Sequence, residues 1–131
     1  MKKLIKGLIF TAFMMIAFSS ASQDVYEDLS NAVKGGNSQQ IASYFGKTVD
    51  LTILDQEDVY SRQQAEQILK DFFSKNPPKS FQVVHKGSSK DGKHYAIGNM
   101  QTTSSKNFRV SFFLKISNSS KTLMELRIEN E

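Results

Sequence analysis

NFRVSFFLKI, residues 107–116, places Phe108, Val110, Phe112, Leu114 and Ile116 at every second position. Successive side chains of a strand point to opposite faces, so this run predicts a strand with one apolar side. Turn-forming residues bound it, Ser104 to Lys106 before and Ser117 to Lys121 after. Beyond the second turn, residues 122–129 form another strand, with Met124, Leu126 and Ile128 expected on one face. Upstream, residues 94–103 make a return strand, and residues 80–86 alternate with Phe81, Val83 and His85 on one face. Residues 87–92 join those two, and their Asp91-Gly92 pair is a strong hairpin signal. Four strands joined in succession by short turns are an antiparallel meander.

Helical periods precede the meander. Val25, Leu29, Ala32 and Val33 fall at i, i+4, i+7 and i+8, and Gly35-Gly36 then ends that helix. Asn37 or Ser38 caps a second, shorter helix with Ile41, Tyr44 and Phe45 inward and Gly46 as its end. Residues 48–53 alternate as a half-buried strand, and Asp55 to Asp58 read as a turn. Ser61 and Gln64 form a capping box ahead of Ala65, Ile68, Leu69, Phe72 and Phe73, a continuous helical stripe that Pro77-Pro78 terminates. The expectation is an α+β domain, helices packed on one face of an antiparallel sheet.

The 131 residues include 17 basic and 13 acidic side chains, a formal charge of +4, and no cysteine. The absence of cysteine excludes a disulfide framework, a thiolate nucleophile, a cysteine zinc site and an acylated N-terminal cysteine. The basic excess is local. Residues 1–22 run from Lys2, Lys3 and Lys6 through an uncharged stretch, 8–18, to Ser19, Ser20, Ala21 and Ser22, the order of a secretory signal peptide cut near Ala21 or Ser22. The uncharged stretch is about half of the roughly 20 residues needed to span a bilayer. Removing it leaves 14 basic side chains against 13 acidic in residues 23–131, a single domain. A nucleic-acid partner loses its support, no membrane span is expected after processing, and the expected location is periplasmic or secreted.

Several stretches carry a family likeness: Val59 to Glu66, Asp71-Phe72-Phe73 before Pro77-Pro78, Ser80-Phe81 with His85-Lys86-Gly87, Ile97-Gly98, and Leu126-Arg127-Ile128. Over residues 24–130 the chain resembles the nuclear transport factor 2-like superfamily, the cystatin-like cone. Within it, the chain is similar to a small family of exported domains of unknown function from Bacteroidetes. The resemblance implies helices filling the concave side of a curved sheet, a pocket between the two, and pairing of two copies through the outer sheet face. It brings no catalytic residues to assign.

Within such a pocket, His85 would stand with Phe81 and Val83, and Tyr95 and Asn99 would join it if they turn inward; Tyr60 is the remaining polar candidate. These four are the expected ligand-binding residues. A histidine with no charged orienter is equally at home on a rim, bonded to a backbone carbonyl. The function expected is an exported, non-enzymatic domain that binds a small ligand or an envelope protein and forms a homodimer. The alternative is a pocket enzyme of the isomerase, dehydratase or hydrolase kind using His85 with Tyr95 or Tyr60. Proton abstraction needs a base within reach, and Asp50, Glu125 and Glu129 all fall on outward positions. No metal site or cofactor is expected. Two surface features complete the reading: lysines 86, 90, 93, 115 and 121 gathered at one end of the meander, suited to an anionic partner, and an outward apolar patch of Phe113 with Leu123.

Overall fold

The structure, a computed structural model, describes residues 20–131; the expected signal segment lies outside the described residues except for its last three, which open the first helix. The elements are α1 (Ser20–Lys34), α2 (Ser38–Ala42), β1 (Phe45–Ile53), β2 (Gln56–Ser61), α3 (Arg62–Lys75), β3 (Pro78–Ser88), β4 (Lys93–Thr102), β5 (Asn107–Ile116) and β6 (Lys121–Asn130). The strands form one sheet in the order β2-β1-β6-β5-β4-β3. Among the described residues no helix is long and apolar enough to cross a membrane.

Local chemistry sets the helix ends. Gly36 adopts φ +60°, Asn37 N–H donates to Ala32 O at 2.8 Å and Gly36 N–H to Val33 O at 3.0 Å, so the left-handed residue satisfies two orphan carbonyls of α1. The Asn37 side chain accepts from Gln40 N–H as the cap of α2. At α3 both halves of the Ser61–Gln64 capping box are formed. The α3 stripe buries Ala65, Leu69, Phe72 and Phe73 against the sheet, and each large side chain contributes roughly 1.5–3 kcal/mol by leaving water. Phe72 of α3 packs edge-to-face on Phe108 of β5 and ties helix to sheet, while Phe81 of β3 packs the same way on Phe112 of β5 within the sheet.

The second helix stops short of Tyr44. Leu123 N–H donates to Tyr44 O at 2.7 Å, and Phe45 pairs with Leu123. A strand partner thus takes Tyr44, Phe45 and Gly46 from the helix predicted for them, and β1 begins three residues before its expected start. The acidic turn is also narrower: only Leu54 and Asp55 connect β1 to β2, and Gln56 to Ser61 pair antiparallel with β1. Leu54 holds φ +57°, a costly conformation for a bulky side chain, and its N–H is anchored to Ile128 O at 2.7 Å.

Three register shifts interrupt the meander, at Lys79, Val84 and Met124, and the last two decide where the expected residues face. Val83 pairs with Gly98 but His85 pairs with Ile97, so Val84 is the extra residue and His85 turns to the face opposite Phe81. Phe113 pairs with Glu125 but Leu114 pairs with Leu123, making Met124 the extra residue. Leu123 is therefore fully buried with Leu126 and Ile128, while Met124 is 52% exposed. The expected apolar face of β6 holds for Leu126 and Ile128 and fails for Met124.

One side-chain hydrogen bond links α1 to the start of β1. Tyr44 O–H donates to Asp28 at 2.5 Å, and burial, followed by that hydrogen bond, pushes the phenol from 10.0 up to about 12. The folded chain therefore holds a proton that the unfolded chain releases in this window. Its contribution is present below pH 10 and is lost as pH rises towards 12. Urea midpoints measured at about pH 9 and about pH 11.5 should fall less in Tyr44→Phe than in the native chain; an identical fall in both would refute the contact's part in alkaline stability.

Candidate functional site

The open face of the sheet, opposite the helices, carries the polar half of each strand's alternation. Its chemistry divides across the strands. At one end, Lys93 of β4 stands directly opposite Lys115 of β5, and on the next rung of the same face Tyr95 stands opposite Phe113. The β6 bulge brings Met124 beside them. These residues, with Ser88 and Ser89 of the neighbouring hairpin, line a groove of about 430 Å³. Tyr95 is 40% exposed and Phe113 half-buried. The bulge re-aims a thioether that strict alternation would have sent into the core.

Across the sheet in the same row, Glu125 of β6 stands opposite Phe113 and beside Asp50 of β1, and Glu57 of β2 completes a set of carboxylates whose oxygens fall within 4.8 Å of one another. Arg127 is their counter-charge, 3.5 Å from both Glu57 and Glu125, and Thr52 O–H donates to Glu57 at 3.1 Å. Burial raises the Glu125 carboxyl above its ordinary range, the Asp50 charge adds to the rise, and Arg127 opposes it. Asp50 Oδ1 is buried without a hydrogen-bond partner.

The expected pocket residues take other positions. His85 is exposed on the open face opposite Ile97, because the Val84 bulge reverses it. Tyr95 and Asn99 share that face, so three of the four candidates do come together, but on the side away from the helices. Asn99 faces the Glu131 carboxylate, to which its amide nitrogen donates at 2.9 Å once the amide is oriented to satisfy both groups. Tyr60 sits on β2, which is separated from β4 by three strands, and packs half-buried against the core. Between helices and sheet stand the rings of Phe72, Phe73, Phe81, Phe108 and Phe112 instead of the expected polar cluster. The side chain that reaches from α1 towards β4 is Tyr26, whose O–H donates to Tyr95 O at 3.2 Å.

The lysine edge also splits. Ile116 N–H donates to Gly92 O at 2.8 Å, so the hairpin tip and the end of β5 are neighbours as expected, and Lys93, Lys115 and Lys121 gather there. Lys86 lies instead 5.2 Å over the Tyr26 ring, beyond the Val84 bulge. The apolar patch pairs Phe113 with Met124, since Leu123 is buried. The acidic set went unseen: Asp50 and Glu125 were each legible as outward residues, but their adjacency depends on which strand β6 joins.

The family model described as "Domain of unknown function (DUF4783)" matches residues 26–129. A DUF4783 family protein from Bacteroides ovatus is 32% identical, with 79% of this chain and 93% of that chain covered and a TM-score of 0.73. A domain of unknown function with a cystatin-like fold from Nostoc punctiforme is 12% identical, with 88% of this chain and 78% of that chain covered and a TM-score of 0.67. The protein "Rd1NTF2_04 with long sheet" is likewise 12% identical, covering 82% of this chain and 99% of that one, with a TM-score of 0.67. The last two establish likeness of fold alone, the helix-lined cone implied by the sequence. No curated protein matches the chain.

Proposed function

The chain belongs to the family described as Domain of unknown function (DUF4783), and from that membership and the shape of its open face we propose an exported domain that binds a small ligand and performs no chemistry. The observation that carries this reading is the groove of about 430 Å³ at the β4–β5 end of the open face, walled by Tyr95, Phe113 and Met124. Concave sites of roughly 300–1,000 Å³ with apolar walls and a few polar groups are the usual form of ligand sites. Tyr95 is retained from the residues expected at the site; His85 and Asn99 share its face without lining the groove, and Tyr60 is remote. Of the two pairings in the enzyme alternative, His85 and Tyr60 lie on opposite faces with four strands between their own, while His85 and Tyr95 share the open face with His85 outside the groove.

A specific observation favours a second use of the same surface. Met124 is 52% exposed beside Phe113, and an apolar patch framed by charge suits pairing of two copies through the open face. Sedimentation distinguishes the two. The ligand reading expects a monomer with the groove free, whereas the pairing reading expects a dimer that Phe113→Glu converts to monomer. A screen of small apolar fragments, followed by backbone amide shifts, tests the ligand reading directly. Shifts confined to Tyr95, Phe113 and Met124 are expected, and the absence of any shift there across the screen would end it.

A further inference from the structure

We propose that the open-face groove takes a small amphipathic anion, one acidic head joined to an apolar tail or ring; this rests on the ligand-binding reading above. Like charges directly opposite one another in an antiparallel pair are destabilising, yet Lys93 and Lys115 occupy one rung. Their charges are poorly answered from within: Lys93 lies 3.6 Å from Asp91 with both side chains largely in solvent, and Lys115 has no carboxylate within ion-pairing distance among the described residues. Of the neighbouring acidic set, Glu125, opposite Phe113, and Glu57 are paired with Arg127, and neither ion-pairs with the two lysines.

The next rung inward is the Tyr95–Phe113 pair, on the same face and about 7 Å along the strands at the strand rise of roughly 3.4 Å per residue. Met124, pushed out by the bulge, extends the apolar wall. Two cations therefore stand at the mouth of a groove whose floor is apolar. That order is complementary to a molecule whose charge and whose apolar body lie at opposite ends. A neutral apolar molecule leaves the lysine pair unanswered, and a wholly polar anion leaves the ring surface in water. The head chemistry is shared by carboxylates, sulfonates and sulfates, since ammonium groups recognise them as point charges.

Octanoate and its neutral counterpart 1-octanol are the probes, titrated into the purified protein and followed by backbone amide shifts. Octanoate should perturb Lys93, Tyr95, Phe113 and Lys115 and bind at least tenfold more tightly than octanol. The double variant Lys93→Gln/Lys115→Gln, both exposed positions, should lose that preference while octanol binding stays within twofold. Raising the salt concentration should weaken octanoate and spare octanol. Phe113→Ser should weaken both probes. Equal affinity of octanol and octanoate at these amides would overturn the anion preference and leave the ligand-binding reading intact. If neither probe moves these amides, or if a dimer covers them that octanoate does not disperse, both readings fall together.

Discussion

Gly98→Ala is expected to cost the domain roughly 3 kcal/mol or more, at the upper end of overpacking penalties and a large part of a typical total stability of about 5–15 kcal/mol. Gly98 lies on the helix-covered face of β4 opposite Val83. A Cβ built there would meet Phe81 Cζ at 2.4 Å and Gln82 O at 2.7 Å. The first contact is with a ring that is itself 4% exposed and held edge-to-face on Phe112, with 5.9 Å between centroids. The second is with backbone, which cannot swing aside. The glycine is thus a space into which an aromatic ring from the neighbouring strand folds, pinning the β3–β4 register. A second-site change, Phe81→Leu, should recover part of the loss by removing the ring while leaving the carbonyl contact. Urea denaturation reads both, and a Gly98→Ala midpoint equal to that of the native protein would show that β3 shifts freely.

Phe112→Ala should lose about 3–5 kcal/mol, whereas Phe113→Ala, one residue along, should lose about 1 kcal/mol or less. The two rings have the same chemistry and differ only in face. Phe112 is fully buried at the centre of the sheet, between Ala96 and Leu126 in register, and its removal leaves an apolar cavity whose lining loses its contacts. Phe113 is half-buried on the open face, where truncation exposes a groove that solvent already reaches. Equal losses in the two variants would contradict the assignment of faces from which the binding groove is built.

The elements legible in the sequence are those specified by neighbours a few residues apart. The Ser61–Gln64 box, the stripe from Ala65 to Phe73 and the glycine stop after Lys34 each act within one or two helical turns. Alternation in residues 107–116 likewise identified a core face, because no bulge interrupts β5 on its β4 side. The same alternation misplaced His85 and Met124. Counting by twos continues through a bulge, while the chain itself shifts phase at Val84 and at the extra residue of β6. Nothing short-range marks those positions. Phe113, Lys93 and Lys115 were recognisable as outward groups, but the groove they share required Met124 to be turned out, so the site was legible in its parts and not in its assembly. The Asp50–Glu57–Glu125 set required knowledge that β1 enters the sheet beside β6, a choice made across about 75 residues of chain.

That parallel pairing of β1 with β6 bears on when the protein can become resistant to proteolysis. Phe45 and Leu51 belong to a strand made early, and their sheet partners Leu123 and Leu126 belong to the last strand made. In a chain delivered N-terminus first, the β1–β2 hairpin has no sheet to join until the last ten or so residues arrive, so one half of the molecule waits for the other. A chain cut short before Lys121 leaves that hairpin as an unpaired edge with buried-type residues uncovered. Completion, rather than initiation, is therefore the step at which the molecule acquires its protection, and a fragment lacking β6 keeps an edge open to pairing with other chains.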